Sequence, residues 1–82
     1  MEIMEILSDV NKIFIEVLDD NDIVLTKETT ADDVEDWDSL SHIQIIVAIE
    51  KHFKTRFISS EIQGWKNVGE MCQKLQQKLD NS

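Results

Sequence analysis

Eighty-two residues, 41% hydrophobic and 30% charged, are enough for one small globular domain over 1–82 with a modest core, and too few for an elaborate active site in a deep cleft. Seventeen Asp and Glu against eight Lys and Arg leave a net charge of −9, which argues against nucleic-acid binding, where clustered cations supply the affinity. One Cys excludes a disulfide framework and a multi-Cys metal site, and no apolar run approaches the ~20 residues that span a bilayer.

The N-terminus, Met1-Glu2-Ile3-Met4-Glu5, is acidic and amphipathic, unlike the cationic start of a signal peptide, so a cytoplasmic protein is expected. Ile3, Ile6, Leu7, Val10, Ile13, Phe14, Val17 and Leu18 fall within roughly 140° of a helical wheel, with Glu2, Glu5, Asp9, Lys12 and Glu16 opposite. This predicts a first helix of about 16 residues, with Met4 and Ile15 exposed. Asp19-Asp20-Asn21-Asp22 should stop it, because these side chains bond locally to backbone. A long connection then runs to Asp38, pinned to the core by Ile23-Val24-Leu25, Val34 and Trp37.

Asp38 has the chemistry of an N-cap for a second helix from Ser39 to about Phe53. A short third helix, Glu61-Ile62-Gln63, is expected after a Ser59 or Ser60 cap and ends at Gly64. The fourth starts at Asn67, paired with Glu70 three residues on. Its Val68, Met71, Cys72, Leu75 and Leu79 share an arc of roughly 100°. The tail Asp80-Asn81-Ser82 should fray. Zero Pro and two Gly agree with an all-α four-helix bundle: three main helices, one short one, and a long loop between the first and second.

The second helix carries two apolar stripes. Ile45, Ile46, Ile49 and Phe53 form a core face. Leu40, Ile43 and Val47 form another, about 100° away, with Ser39 beside it and Glu50, Lys51 and Lys54 continuing it. Either the helix is buried on both sides or the second stripe is an exposed patch of the kind that docks partners. A serine hydroxyl at a helix N-terminus is also where a phosphate is favoured. Charge is divided unevenly: residues 1–38 hold thirteen acids and two bases, residues 39–82 four acids and six bases. The acidic half is either a solvated surface or a docking face for basic partners.

Val34-Glu35-Asp36-Trp37-Asp38-Ser39-Leu40-Ser41-His42-Ile43 resembles the attachment segment of acyl carrier proteins, in which Asp-Ser-Leu opens the second helix of a four-helix bundle. Ile49-Glu50-Lys51-His52-Phe53 and Asn67-Val68-Gly69-Glu70 are also similar, and the likeness is best over residues 31–72. It implies that Ser39 carries 4′-phosphopantetheine, received from coenzyme A through a phosphopantetheinyl transferase, and that acyl-loading and acyl-transferring enzymes are the partners of a monomeric, non-catalytic carrier. Asp38 would cap the helix and present the hydroxyl. Leu40, Ile43 and Val47, with Asp32, Asp33, Asp36 and Trp37, would form the docking surface. Trp37 stands where fatty-acid-synthesis members commonly have a small residue. The outer face of the second helix, normally acidic, has neutral Ser41 and Gln44 and cationic Lys51 and Lys54. A specialised standalone carrier, in a lipid or polyketide type of pathway, is therefore expected. An aminoacyl carrier, or an acidic interaction module without a prosthetic group, are the alternatives.

Other constellations carry less. A calcium loop starting at Asp19 or Asp20 puts Ile23 or Val24 where an oxygen ligand is required, so no metal site is expected. Ser39 and His42 lack an oxyanion-hole motif, and His42 faces the core stripe, so no catalytic residue is assigned. Cys72 is expected as a buried thiol and Trp65 as a plug between the third and fourth helices.

Overall fold

In a computed structural model, which describes residues 2–80, the chain forms α1 (Ile3–Leu18), α2 (Ser39–Phe53), α3 (Ser59–Gln63) and α4 (Val68–Asp80), with a single 3₁₀ turn at Ala31–Asp33. Among the described residues there is no strand, and the helix bounds agree with the periodicity. Met1, Asn81 and Ser82, including two residues of the expected frayed tail, lie outside the described residues.

α1 packs against both α2 and α4. Its stripe supplies Ile6, Leu7, Val10, Ile13 and Phe14 to the core; Ile45, Ile46, Ile49 and Phe53 of α2 and Val68, Met71, Cys72 and Leu75 of α4 meet them. Ile3, Val17, Leu18 and Leu79 pack at the margin. Ile15 differs from its expected exposure: it is half-buried against the core edge, because the buried arc of α1 is wider than the stripe.

α1 and α2 both end on a residue in the left-handed region, Asp19 at φ 52° and Lys54 at φ 56°. Their amides close the last turns onto Ile15 O and Glu50 O. In the turn after α1, Asp20 Oδ1 accepts the Asp22 N–H at 3.0 Å.

The long loop is fastened by two devices that side-chain periodicity cannot reveal. Asn11 of α1 reaches across it, its Oδ1 accepting the Leu25 N–H at 2.6 Å and its amide donating to Ile23 O at 3.2 Å. This seats Ile23 and Leu25 in the core and turns Val24 outward, 81% exposed, in place of the expected three-residue anchor. Extended backbone alternates its side chains, so one of three neighbours must face water. Further along, Lys27 O and Thr29 O accept the Gly69 and Val68 N–H groups, both at 2.8 Å. These two bonds dock the N-terminus of α4 onto the loop.

The start of α3 is also corrected. Ile58, rather than Ser59 or Ser60, occupies the cap position, and its N–H is taken by the Glu61 carboxylate at 3.0 Å. Lys74 and Lys78 of α4 hold that carboxylate from the other side, at 3.1 and 2.9 Å. α3 is thus tied to α4 through one glutamate.

Candidate functional site

The start of α2 is built by a reciprocal cap. Asp38 Oδ1 accepts the Ser41 N–H at 2.9 Å, and the Asp38 N–H donates to Ser41 Oγ at 2.8 Å. The Ser41 hydroxyl then donates to Asp36 O at 2.8 Å, binding the end of the loop to the first turn. Ser41 is buried, which corrects its expected place on the outer face. The Ser41 N–H is the main reason the Asp38 carboxyl lies below its usual range. Asp38 therefore stays ionised and the cap stays made through the neutral pH range.

Ser39 is the first residue of α2 and is exposed. The cap fixes its backbone while its side chain faces solvent. Beside it lies a cavity of about 570 Å³, with Trp37, His42, Ile43, Ile62 and Trp65 among its walls and Lys66 and Asn67 at its polar edge.

Aromatic contacts shape that cavity. Trp37 sits edge-on to Phe14, with centroids 4.8 Å apart, and stacks on His42 at 5.8 Å. Its indole N–H donates to His42 Nδ1 at 3.0 Å. That bond requires an unprotonated Nδ1, so Nε2 carries the proton in the neutral ring and donates to Ile62 O at 3.3 Å. Both ring nitrogens are engaged, with Trp37 and Ile62, and neither is placed as a general base for Ser39. Trp65 closes the far side between Phe57, at 5.0 Å, and His42, at 6.1 Å.

Trp37 is half-buried and turned toward the core and the cavity, so it forms a wall of the site and stands less open than a docking residue would. Leu40, Ile43 and Val47 are 71%, 52% and 43% exposed. α2 is thus not buried all round. Asp32 and Asp36 are exposed. Asp33 is also exposed, but its carboxylate is engaged, accepting from the Thr30 N–H at 3.0 Å and the Thr30 hydroxyl at 3.3 Å. Glu50, read as part of the outer face, instead accepts the Phe57 N–H at 2.8 Å. Cys72 is buried, and burial pushes its thiol up to about 11, which makes it a poor nucleophile.

Sequence reasoning missed the Ser41 cap and the Trp37–His42–Ile62 link. The cap had a local signal, Asp38 and Ser41 at capping-box spacing. The link had none, because it depends on where α3 lies.

A family model described as "Phosphopantetheine attachment site" matches residues 2–75. Among solved structures, the chain is similar to the holo acyl carrier protein from Geobacter metallireducens, determined by solution NMR. The two are 45% identical with a TM-score of 0.88, over 95% of this chain and 90% of that one. No curated protein matches.

Proposed function

The chain belongs to the acyl carrier protein family, and from that membership we propose that Ser39 is its attachment serine. The observation that carries the assignment is the exposed Ser39 at the first position of α2, presented by the Asp38–Ser41 cap.

The residues present fit a 4′-phosphopantetheine arm. Its phosphodiester would lie at the α2 N-terminus, where helix amides favour an anion, with the Lys66 cation among the residues lining the cavity. The arm alternates apolar and amide segments, and the cavity offers apolar Ile43 and Ile62, the rings of Trp37 and Trp65, and Asn67 as a hydrogen-bonding group. When bound, the arm supplies a terminal thiol that holds an acyl group as a thioester. The protein's own part is to orient Ser39, cradle the arm and present a docking surface. It acts as a carrier, in the cytoplasm and as a monomer. A phosphopantetheinyl transferase and acyl-handling enzymes are its partners. The cationic residues at the end of α2 support a specialised lipid or polyketide role over general fatty-acid synthesis.

The test is intact mass after incubation with coenzyme A and a broad-specificity phosphopantetheinyl transferase. One arm should be added to the wild type and none to Ser39→Ala. An unmodified wild type, under conditions that convert a control carrier, would overturn the assignment.

A further inference from the structure

The exposed face of α2 changes sign along its length. Just ahead of its N-terminal end stand Asp36 and Asp38, with Asp32, Asp33 and Glu35 earlier in the loop, all exposed. Leu40, Ile43 and Val47 form the apolar middle. At the far end, a concavity of about 540 Å³ joins Val47 to Lys51, Lys54 and Arg56. Glu50, the sole acid within α2, also lines this concavity, and its carboxylate accepts the Phe57 N–H. Among the described residues the ion pairs engage Lys74, Lys78 and His52, and none engages Lys51, Lys54 or Arg56. Three cations against the single Glu50 carboxylate therefore leave positive charge in excess at this end of the apolar strip, in a protein whose net charge is −9.

We propose that this face docks a partner protein of matching two-signed surface, with an acidic patch over Lys51, Lys54 and Arg56 and a basic patch over the acids ahead of Ser39. The proposal deepens the carrier reading and rests on it for the partner's class, an acyl-handling enzyme. Two opposite-sign contacts on either side of an apolar strip fix direction as well as position, since a partner turned end for end meets like charge at both ends. That direction matters beside an arm anchored at one end of the face. A second copy of this chain is the less favourable occupant. Two molecules of net charge −9 repel one another as they approach.

Two helical peptides of about five turns test this. Both carry the same leucine stripe, the same composition and no net charge. One has its lysines at one end and its glutamates at the other; the second interleaves them. NMR titration of the apo-protein should show shifts along α2, with the segregated peptide bound roughly fivefold more tightly, the sum of a few exposed charge contacts. K51E/R56E, which spares the left-handed Lys54, should erase that preference while leaving the rest of the amide spectrum in place. Leu40→Ser in the same titration should weaken both peptides. Equal binding of the two peptides by the wild type, or a preference unchanged in K51E/R56E, overturns the proposal. So does self-association of the protein alone that K51E/R56E removes, which would make the occupant a second copy. Intact mass after arm transfer, run on the same variant, reports on Ser39 separately, so failure of the docking face and failure of the carrier reading are told apart.

Discussion

The Gly69 amide donates to Lys27 O at 2.8 Å, and a Cβ built on Gly69 would stand 2.7 Å from that same oxygen. The first turn of α4 and the long loop approach so closely that a side chain at this position has no room. The backbone of Lys27 is the obstacle, and it cannot rotate away as a side-chain tip could. Gly69→Ala should therefore push α4 off the loop and cost about 1–3 kcal/mol, as overpacking does. Chemical denaturation measures the loss. Amide exchange should show where it falls, at Val68 and Gly69, whose N–H groups lose Thr29 O and Lys27 O.

The two faces of α2 separate in the same way. Ile49 is fully buried, and Ile49→Ala should cost roughly 2–5 kcal/mol. Val47 is 43% exposed, and Val47→Ala should cost under about 1 kcal/mol. Equal losses in parallel urea titrations would mean that the Val47 stripe is packed rather than open.

The helices were legible because they rest on local signals. The stripe of α1, the Asp38 cap and the Asn67–Glu70 pair are all written within a few residues, and Asn67 Oδ1 does accept the Glu70 N–H, at 2.9 Å. Asn11 holding Leu25 and Glu61 holding Lys74 and Lys78 were not legible, since each depends on side chains that only tertiary packing brings together. The attachment motif could be read from Asp38-Ser39-Leu40. The cavity beside it could not, because Trp37, Ile62 and Trp65 come from the loop, α3 and the segment before α4.

Ser41 tests the cap without touching Ser39. Ser41→Ala leaves the Asp38 N–H and Asp36 O without their hydroxyl partner and should cost about 1 kcal/mol. Fraying should be confined to the first turn of α2, seen as lower amide protection there. Arm transfer should slow while still reaching completion. Unchanged protection and rate would show that the Asp38 carboxylate holds the turn alone.

Glu61 gives the acid limb of stability a specific source. Its carboxyl is lowered to about 2 from 4.5, first by the Ile58 N–H and then by Lys78. The folded state therefore binds this proton less readily than the unfolded chain does. The associated stability is fully present above pH 4.5 and is lost as pH falls toward about 2. Glu61→Gln should flatten the decline in that window and weaken the α3–α4 tie at neutral pH. Urea midpoints at a series of pH values check it. An identical pH slope in the two proteins would assign the acid limb to other carboxylates.

The acids before Ser39 divide into two kinds, which decides how their docking role is tested. Asp33 caps the 3₁₀ turn through Thr30, so replacing it would disturb the loop as well as its charge. Asp32 and Asp36 are exposed, and Asp36 accepts the Ser41 hydroxyl through its backbone oxygen, which substitution of the side chain spares. Asp32→Asn with Asp36→Asn therefore removes two charges and leaves both caps standing. A basic partner is drawn to this end of the molecule by long-range attraction, which salt screens over about 8–10 Å. In the double variant, arm transfer should slow at low salt and depend less on salt, with helix content unchanged by circular dichroism. The two proteins should converge at high salt, where attraction no longer sets the encounter rate. If the variant matches the wild type at low salt, these acids are a solvated surface, and recognition near Ser39 rests on Leu40, Ile43 and Val47.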